Sequence, residues 1–268
     1  MARGVEIKTL EVAQEISFPA LHGLSATGST STKSVIANDE ALFLWVHQMA
    51  PNASVLFAAP KVGHLMYVWK GALRVDGQEV KAEQVVVVEH TGFANLEASQ
   101  DGATLVHFHQ SEKLPLLTER PGGGVHVAPA KGLFSRWDEE RRADHTVWFD
   151  AHCATCELWL HRSKFQVARG QGEPHMHNED EIIFVLDGGI VVGKIHDPGT
   201  AIAVSKGTIY SFGVAAGGGS FINFRATNPL VKMMQRGKPI GDWVSERAFM
   251  RNELQVPVID PRAKIVAA

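Results

Sequence analysis

The residues of this chain best placed to do chemistry are His175, His177 and Glu181, in the run Pro174-His175-Met176-His177-Asn178-Glu179-Asp180-Glu181. Along a β-strand successive side chains alternate faces, so His175 and His177 point one way and Met176 the other. Glu181 opens the apolar run Ile182-Ile183-Phe184-Val185-Leu186, closed by Asp187-Gly188-Gly189, which reads as a buried strand with a turn behind it. A carboxylate at the mouth of such a strand is costly to bury unpaired, and a divalent cation shared with two imidazoles removes that cost. Two neutral imidazoles and one carboxylate leave coordination positions open to water, substrate or oxygen. That donor set suits Fe(II), Mn(II), Ni(II), Co(II) or Zn(II) without choosing among them.

The elements that must position these groups are short and strand-like. Residues 40–46, 64–69, 72–75, 85–88 and 104–109 are runs rich in β-branched and aromatic residues, separated by turn signals, of which Asp76-Gly77 is the clearest. Many strands at even spacing predict an all-β sandwich or barrel. The segment from His64 to Leu73 matches Glu181 to Ile190 class by class at a displacement of 117 residues. The same displacement sets Phe43 on Leu160. A displacement shorter by one sets Val85–Val88 on residues 201–204 and His107-Phe108-His109 on Asn223-Phe224-Arg225. This internal repeat predicts two barrels of one kind. In the first copy Ala58 and Pro60 stand at the positions of His175 and His177, His64 at that of Glu181 and Ala94 at that of Tyr210, so it lacks the metal constellation. His64, His90, His107 and His109 are its remaining candidates for an unorthodox site.

The segment from Arg169 to Gly188 resembles the first signature of the cupin superfamily, G(x)5HxH(x)3-4E(x)6G, through His175, His177, Glu181 and Gly188, with Arg169 at the leading glycine position. In the second signature, G(x)5PxG(x)2H(x)3N, Gly199 and Gly207 fall in place, while Ser205, Tyr210 and Val214 replace proline, histidine and asparagine. The resemblance implies two cupin-type (double-stranded β-helix or jelly-roll) barrels in one chain, with a few peripheral helices. It also implies one divalent transition metal, Fe(II) favoured, in the second barrel on His175, His177 and Glu181, with Tyr210 in the position of the fourth ligand. Tyr210 admits three readings: a phenolate ligand, an acid or base toward substrate, or a packing aromatic. His161 shares its strand face with Ser163, Phe165 and Val167 and is placed to line the expected substrate pocket. Asn223 shares a face with Arg225, and either is placed to hold an anionic or carbonyl substrate there, with a salt bridge at the rim as the alternative.

The expected organisation is an N-terminal barrel over 1–115, whose first forty residues form a loose arm with one strand. A linker over 116–150, a metal-binding barrel over 151–228 and a tail over 229–268 follow, the tail carrying a helix at 241–251 capped by Asp242. Cys153 and Cys156 are expected to be structural thiols. In 268 residues, 45% hydrophobic and 21% charged with a net charge of −3, no basic run supports nucleic-acid binding and no segment approaches a membrane span. The expectation is a cytoplasmic homodimeric enzyme acting on a small oxygen-bearing organic molecule. A dioxygenase comes first, with a metal-dependent lyase or isomerase, or a non-catalytic ligand-binding protein, as alternatives.

Overall fold

In the computed structural model the described residues are 4–18, 23–37, 41–113, 122–132, 134–149, 159–226, 230–236, 238–240, 242 and 244–245. They are strands and their connections, and none is helical. None forms a helix long and apolar enough to cross a membrane. The chain divides into two compact units.

The N-terminal unit, Val12–Gly132, is built on a ten-stranded sheet. Its strands are β2 (Gln14–Ile16), β3 (Leu24–Thr27), β4 (Thr30–Ala37), β5 (Leu42–Met49), β6 (Ser54–Ala58), β7 (His64–Val75), β8 (Gln78–Lys81), β9 (Val85–Val88), β10 (Phe93–Gln110) and β11 (Val125–Ala128). The main path runs β11-β9-β7-β10-β5-β4-β2. Residues 93–98 of β10 alternate exposed and buried with period two, burying Ala94, Leu96 and Ala98 in a core with Phe57, Val86 and Leu105. The β7–β8 hairpin closes on Asp76-Gly77, both at positive φ, the conformation a two-residue type I′ turn requires.

The C-terminal unit comprises Met1–Glu11, Leu133–Ala151 and Leu158–Ile259. Its main sheet holds β1 (Val5–Thr9), β12 (Phe134–Asp138), β13 (Ala143–Phe149), β14 (Trp159–Phe165), β16 (Glu181–Val192), β17 (Lys194–His196), β18 (Thr200–Val204) and β19 (Gly213–Arg225). A smaller sheet holds β15 (His175–His177), β20 (Leu230–Gln235), β21 (Lys238–Pro239) and β22 (Val244–Ser245). The main path, β1-β18-β16-β19-β14-β13-β12, repeats that of the first unit strand for strand. Both copies also break register at the same place. A Cβ on Gly71 would collide with the Gly102 carbonyl oxygen, and one on Gly188 with that of Gly218, so both positions, at positive φ, demand glycine.

These pairings correct several expectations. The leading forty residues are no loose arm, since they supply β1 to β4. Residues 116–150 are no linker either: β11 completes the first unit's sheet and β12 and β13 extend the second's. The leading strand β1 pairs with β18 and so belongs to the second unit, in the place that β11 takes in the first. Trp159 faces Arg225 as Phe43 faces His109, so Phe43 corresponds to Trp159 and not to Leu160. The expected helix at 241–251 falls mostly outside the described residues. Its described part, Val244–Ser245, is extended, because β-branched Val244 pairs with Val231. Cys153 and Cys156 also lie outside the described residues.

The interior of the N-terminal unit carries a chain of imidazoles. Thr32 Oγ1 bonds His47 Nδ1, His47 Nε2 bonds His107 Nδ1, and His107 Nε2 bonds His64 Nδ1, each at 2.8 Å. His109 lies beside His64, its ring stacked on Phe43. Of the four histidines proposed for this barrel, His64 and His107 are directly bonded, while His47, which the sequence pattern did not single out, joins them. Burial pushes His47 down to about 3, so it is neutral when folded and takes up a proton on unfolding below its ordinary value of 6.5. Stability is therefore full above that value and is lost as pH falls from 6.5 toward 3. Between pH 7 and 5 His47 alone is expected to remove about 2 kcal/mol. Urea midpoints over that range should fall in the wild type and fall less steeply in His47→Gln; identical slopes would contradict this assignment.

Candidate functional site

Strands β15, β16 and β19 bring the named residues of the C-terminal unit together. His175 pairs with Tyr210 through two backbone hydrogen bonds of 3.0 Å, and the Gly207 amide donates to the His177 carbonyl at 2.8 Å. Asp180 accepts the Lys206 amide at 2.9 Å and fixes the turn into β16. With Met176 on the opposite face, the His175 and His177 rings stand 5.2 Å apart at 83°. Tyr210 lies 4.6 Å from His175. The side-chain parity expected for these residues is present.

Glu181 and Arg225 face each other across the β16–β19 pair, each 1% exposed. Arg225 Nη2 donates to Glu181 Oε2 at 2.5 Å and to His177 Nε2 at 2.9 Å. Asn223 Nδ2 donates to the same carboxylate oxygen at 3.0 Å, and the Tyr210 hydroxyl hydrogen-bonds the carboxylate too. Burial alone would raise Glu181, but Arg225 chiefly, with His177, Tyr210 and Asn223, pulls it down to about 2. Burial, reinforced by Arg225, takes His177 down to about 3. Since a guanidinium only donates, His177 Nε2 must be the bare nitrogen and Nδ1 carries the hydrogen. His175 is lowered by burial, and its Nδ1 donates to the Glu173 carbonyl at 3.1 Å, leaving Nε2 as its basic nitrogen.

A metal bonds histidine nitrogen and carboxylate oxygen at about 2.0–2.2 Å. His177 Nε2 and Glu181 Oε2 are 4.0 Å apart, so an ion held by both would lie close to the line that joins them. Arg225 Nη2, bonded to both atoms, leaves no room there. Nor does any group of three or more His, Cys, Asp or Glu side chains among the described residues converge to hold a metal ion. As arranged, the guanidinium supplies to Glu181 Oε2 and His177 Nε2 the positive charge that they were expected to share with a metal, while Glu181 Oε1 is buried without a hydrogen-bond partner. Tyr210 likewise meets Glu181 rather than standing as a mere packing aromatic.

His161 and Asn223 are register partners on β14 and β19, 7% and 4% exposed. Burial, then Arg225, holds His161 well below its ordinary range. His161 Nδ1 and Asn223 Oδ1 have no hydrogen-bond partner. Next to them His145 Nδ1 bonds Ser163 Oγ at 2.9 Å, a contact that sequence reasoning missed. Below this polar end lie Ile183, Val185, Ile202, Phe165 and Phe221.

No protein-family model matches the chain, and no curated protein matches it. Solved structures do. A proposed dioxygenase from Nostoc punctiforme superposes with a TM-score of 0.62 at 10% identity, over 91% of this chain and 87% of that one. A variant of Bacillus subtilis oxalate decarboxylase, an enzyme with Mn(II) centres, gives 0.61 at 10%, over 94% and 84%. A cupin 2 conserved barrel domain protein from Leptotrichia buccalis gives 0.51 at 14%, over 81% and 98%. The likeness shows that the fold of this chain is the all-β cupin fold.

Breaking one side of the Arg225–Glu181 pair leaves the other charge buried. Arg225→Met is expected to destabilise the protein by about 3–5 kcal/mol. The double variant Arg225→Met/Glu181→Gln should recover most of that loss in urea unfolding. Additive losses would show that the two side chains do not depend on each other.

Proposed function

We propose that this chain is a cupin-fold enzyme whose C-terminal unit takes a small oxygen-bearing organic substrate and moves protons on it, as an isomerase or lyase does. One observation carries this reading: Arg225 Nη2 hydrogen-bonds both His177 Nε2 and Glu181 Oε2 and so crowds the space between them that a shared cation would need. In this reading His175 Nε2 is the base, being neutral at pH 7 and half-buried beside Tyr210. Tyr210 exchanges a proton with substrate while its hydroxyl is oriented by Glu181. Arg225 and Asn223 hold the carboxylate in place, and His177 receives the second guanidinium contact. The N-terminal unit is read as the degenerate copy of a duplicated cupin. Its strand order matches, and its interior carries imidazoles where the other carries the ion pair.

A second reading, an Fe(II) dioxygenase, is supported by the signature spacing of His175, His177 and Glu181 and by the likeness to a proposed dioxygenase. It requires Arg225 to withdraw from Glu181. Elemental analysis of protein dialysed against Fe(II) or Mn(II) separates the two. The first predicts well under one equivalent in the wild type and uptake by Arg225→Ala, whereas one tightly held equivalent in the wild type would overturn it. On small hydroxy-carbonyl compounds in deuterated water, Tyr210→Phe is expected to slow carbon–hydrogen exchange by about 10²–10⁴-fold. Exchange at the wild-type rate would remove Tyr210 from the chemistry.

A further inference from the structure

The charge balance of the C-terminal interior narrows what it can hold. Among the groups facing the site, Glu181 and Arg225 are the ionised ones, and they neutralise each other at 2.5 Å. His177, accepting a hydrogen bond from Arg225 at Nε2, adds no charge of its own. An anionic ligand would have to draw Arg225 away and strand a buried carboxylate, an arrangement that low-dielectric interiors penalise strongly. Small dicarboxylates are therefore disfavoured, although the fold is shared with an oxalate decarboxylase.

Two of the unmet hydrogen-bonding groups of this interior, which also include Glu181 Oε1 and His177 Nδ1, point the same way. Asn223 spends its amide hydrogen on Glu181 Oε2, which fixes the carbonyl end, Oδ1, as a buried acceptor with nothing to accept from. His161 Nδ1 is likewise unpartnered, on the register partner of Asn223. Leaving such groups unmet costs about 1–3 kcal/mol each. A hydroxyl group answers both, since it donates to Asn223 Oδ1 and can accept from or donate to an imidazole nitrogen. The neighbouring Ile183 and Phe221 offer hydrocarbon to the carbon skeleton that bears it.

From these two observations we infer that the ligand is an uncharged, hydroxyl-bearing organic compound whose hydroxyl is held by Asn223 and His161. The inference rests on the reading of this interior as a metal-free ligand site. Calorimetric titration of the full-length chain with dihydroxyacetone and, separately, with oxalate tests it. Saturable binding of dihydroxyacetone is expected, weakened at least tenfold in Asn223→Leu, with no saturation by oxalate. Saturation by oxalate overturns the inference. So does an absence of dihydroxyacetone binding up to tens of millimolar, the two polar atoms then being met by water. Should Asn223→Leu not fold, the wild-type comparison and His161→Phe decide the matter. Binding without any hydrogen exchange would leave this inference standing and remove the proton-transfer reading; stoichiometric metal in the wild type would remove both.

Discussion

The contact between the Arg225 guanidinium and the Glu181 carboxylate is the constraint around which the C-terminal interior is arranged. Two opposite charges, each 1% exposed, persist in a barrel core only where their mutual contact and neighbouring polar groups offset the cost of burying them. Asn223 and Tyr210 also bond the carboxylate, whose Oε1 keeps no partner, and His177 takes the other contact from the guanidinium nitrogen. A hydrophobic pair of equal volume would be at least as stable there. The retention of the charged pair is therefore better explained by what it does to the site: it holds His177 and Tyr210 in fixed orientations and keeps the interior electrically neutral.

The first unit solves the same packing problem without ions. His64 faces His109 across β7 and β10, where Glu181 and Arg225 face each other in the second unit, and His107 stands where Asn223 does. Thr32 lies opposite His47 on β4 and β5, and His145 lies opposite Ser163 on β13 and β14. Each of these cross-strand pairs is a hydroxyl bonded to an imidazole, with the two partners exchanged between strands. Each unit thus holds a buried polar cluster at one set of strand registers. The chemistry differs because neutral imidazoles can chain end to end, each donating through one nitrogen and accepting through the other, while an ion pair collects donors around one carboxylate.

Much of this was legible in the sequence, because alternation along a strand depends only on neighbours. The shared face of His175 and His177, the inward parity of His161, Asn223 and Arg225, the Asp76-Gly77 turn and the repeat itself follow from local pattern. Pairing between distant strands does not. That β1 joins β18, and that residues 116–150 divide between two sheets, depends on contacts that local pattern leaves undetermined. The displacement error at Phe43 has a similar origin: the chain from Trp159 to Glu181 is one residue longer than that from Phe43 to His64, so a displacement measured on β7 and β16 does not carry back to β5 and β14. Arg225 is legible in the sequence as an inward residue open either to substrate or to a rim salt bridge, while Glu181 reads as a metal ligand. A basic side chain of inward parity on the strand next to that of a metal-signature glutamate is the signal that could have shown otherwise.

The most direct test of the guanidinium as the resident cation is anomalous diffraction from crystals grown with Mn(II). The account predicts continuous density for Arg225 reaching His177 Nε2 and Glu181 Oε2, with no anomalous peak between them. A peak bonded to those two atoms, with Arg225 turned away, would contradict it.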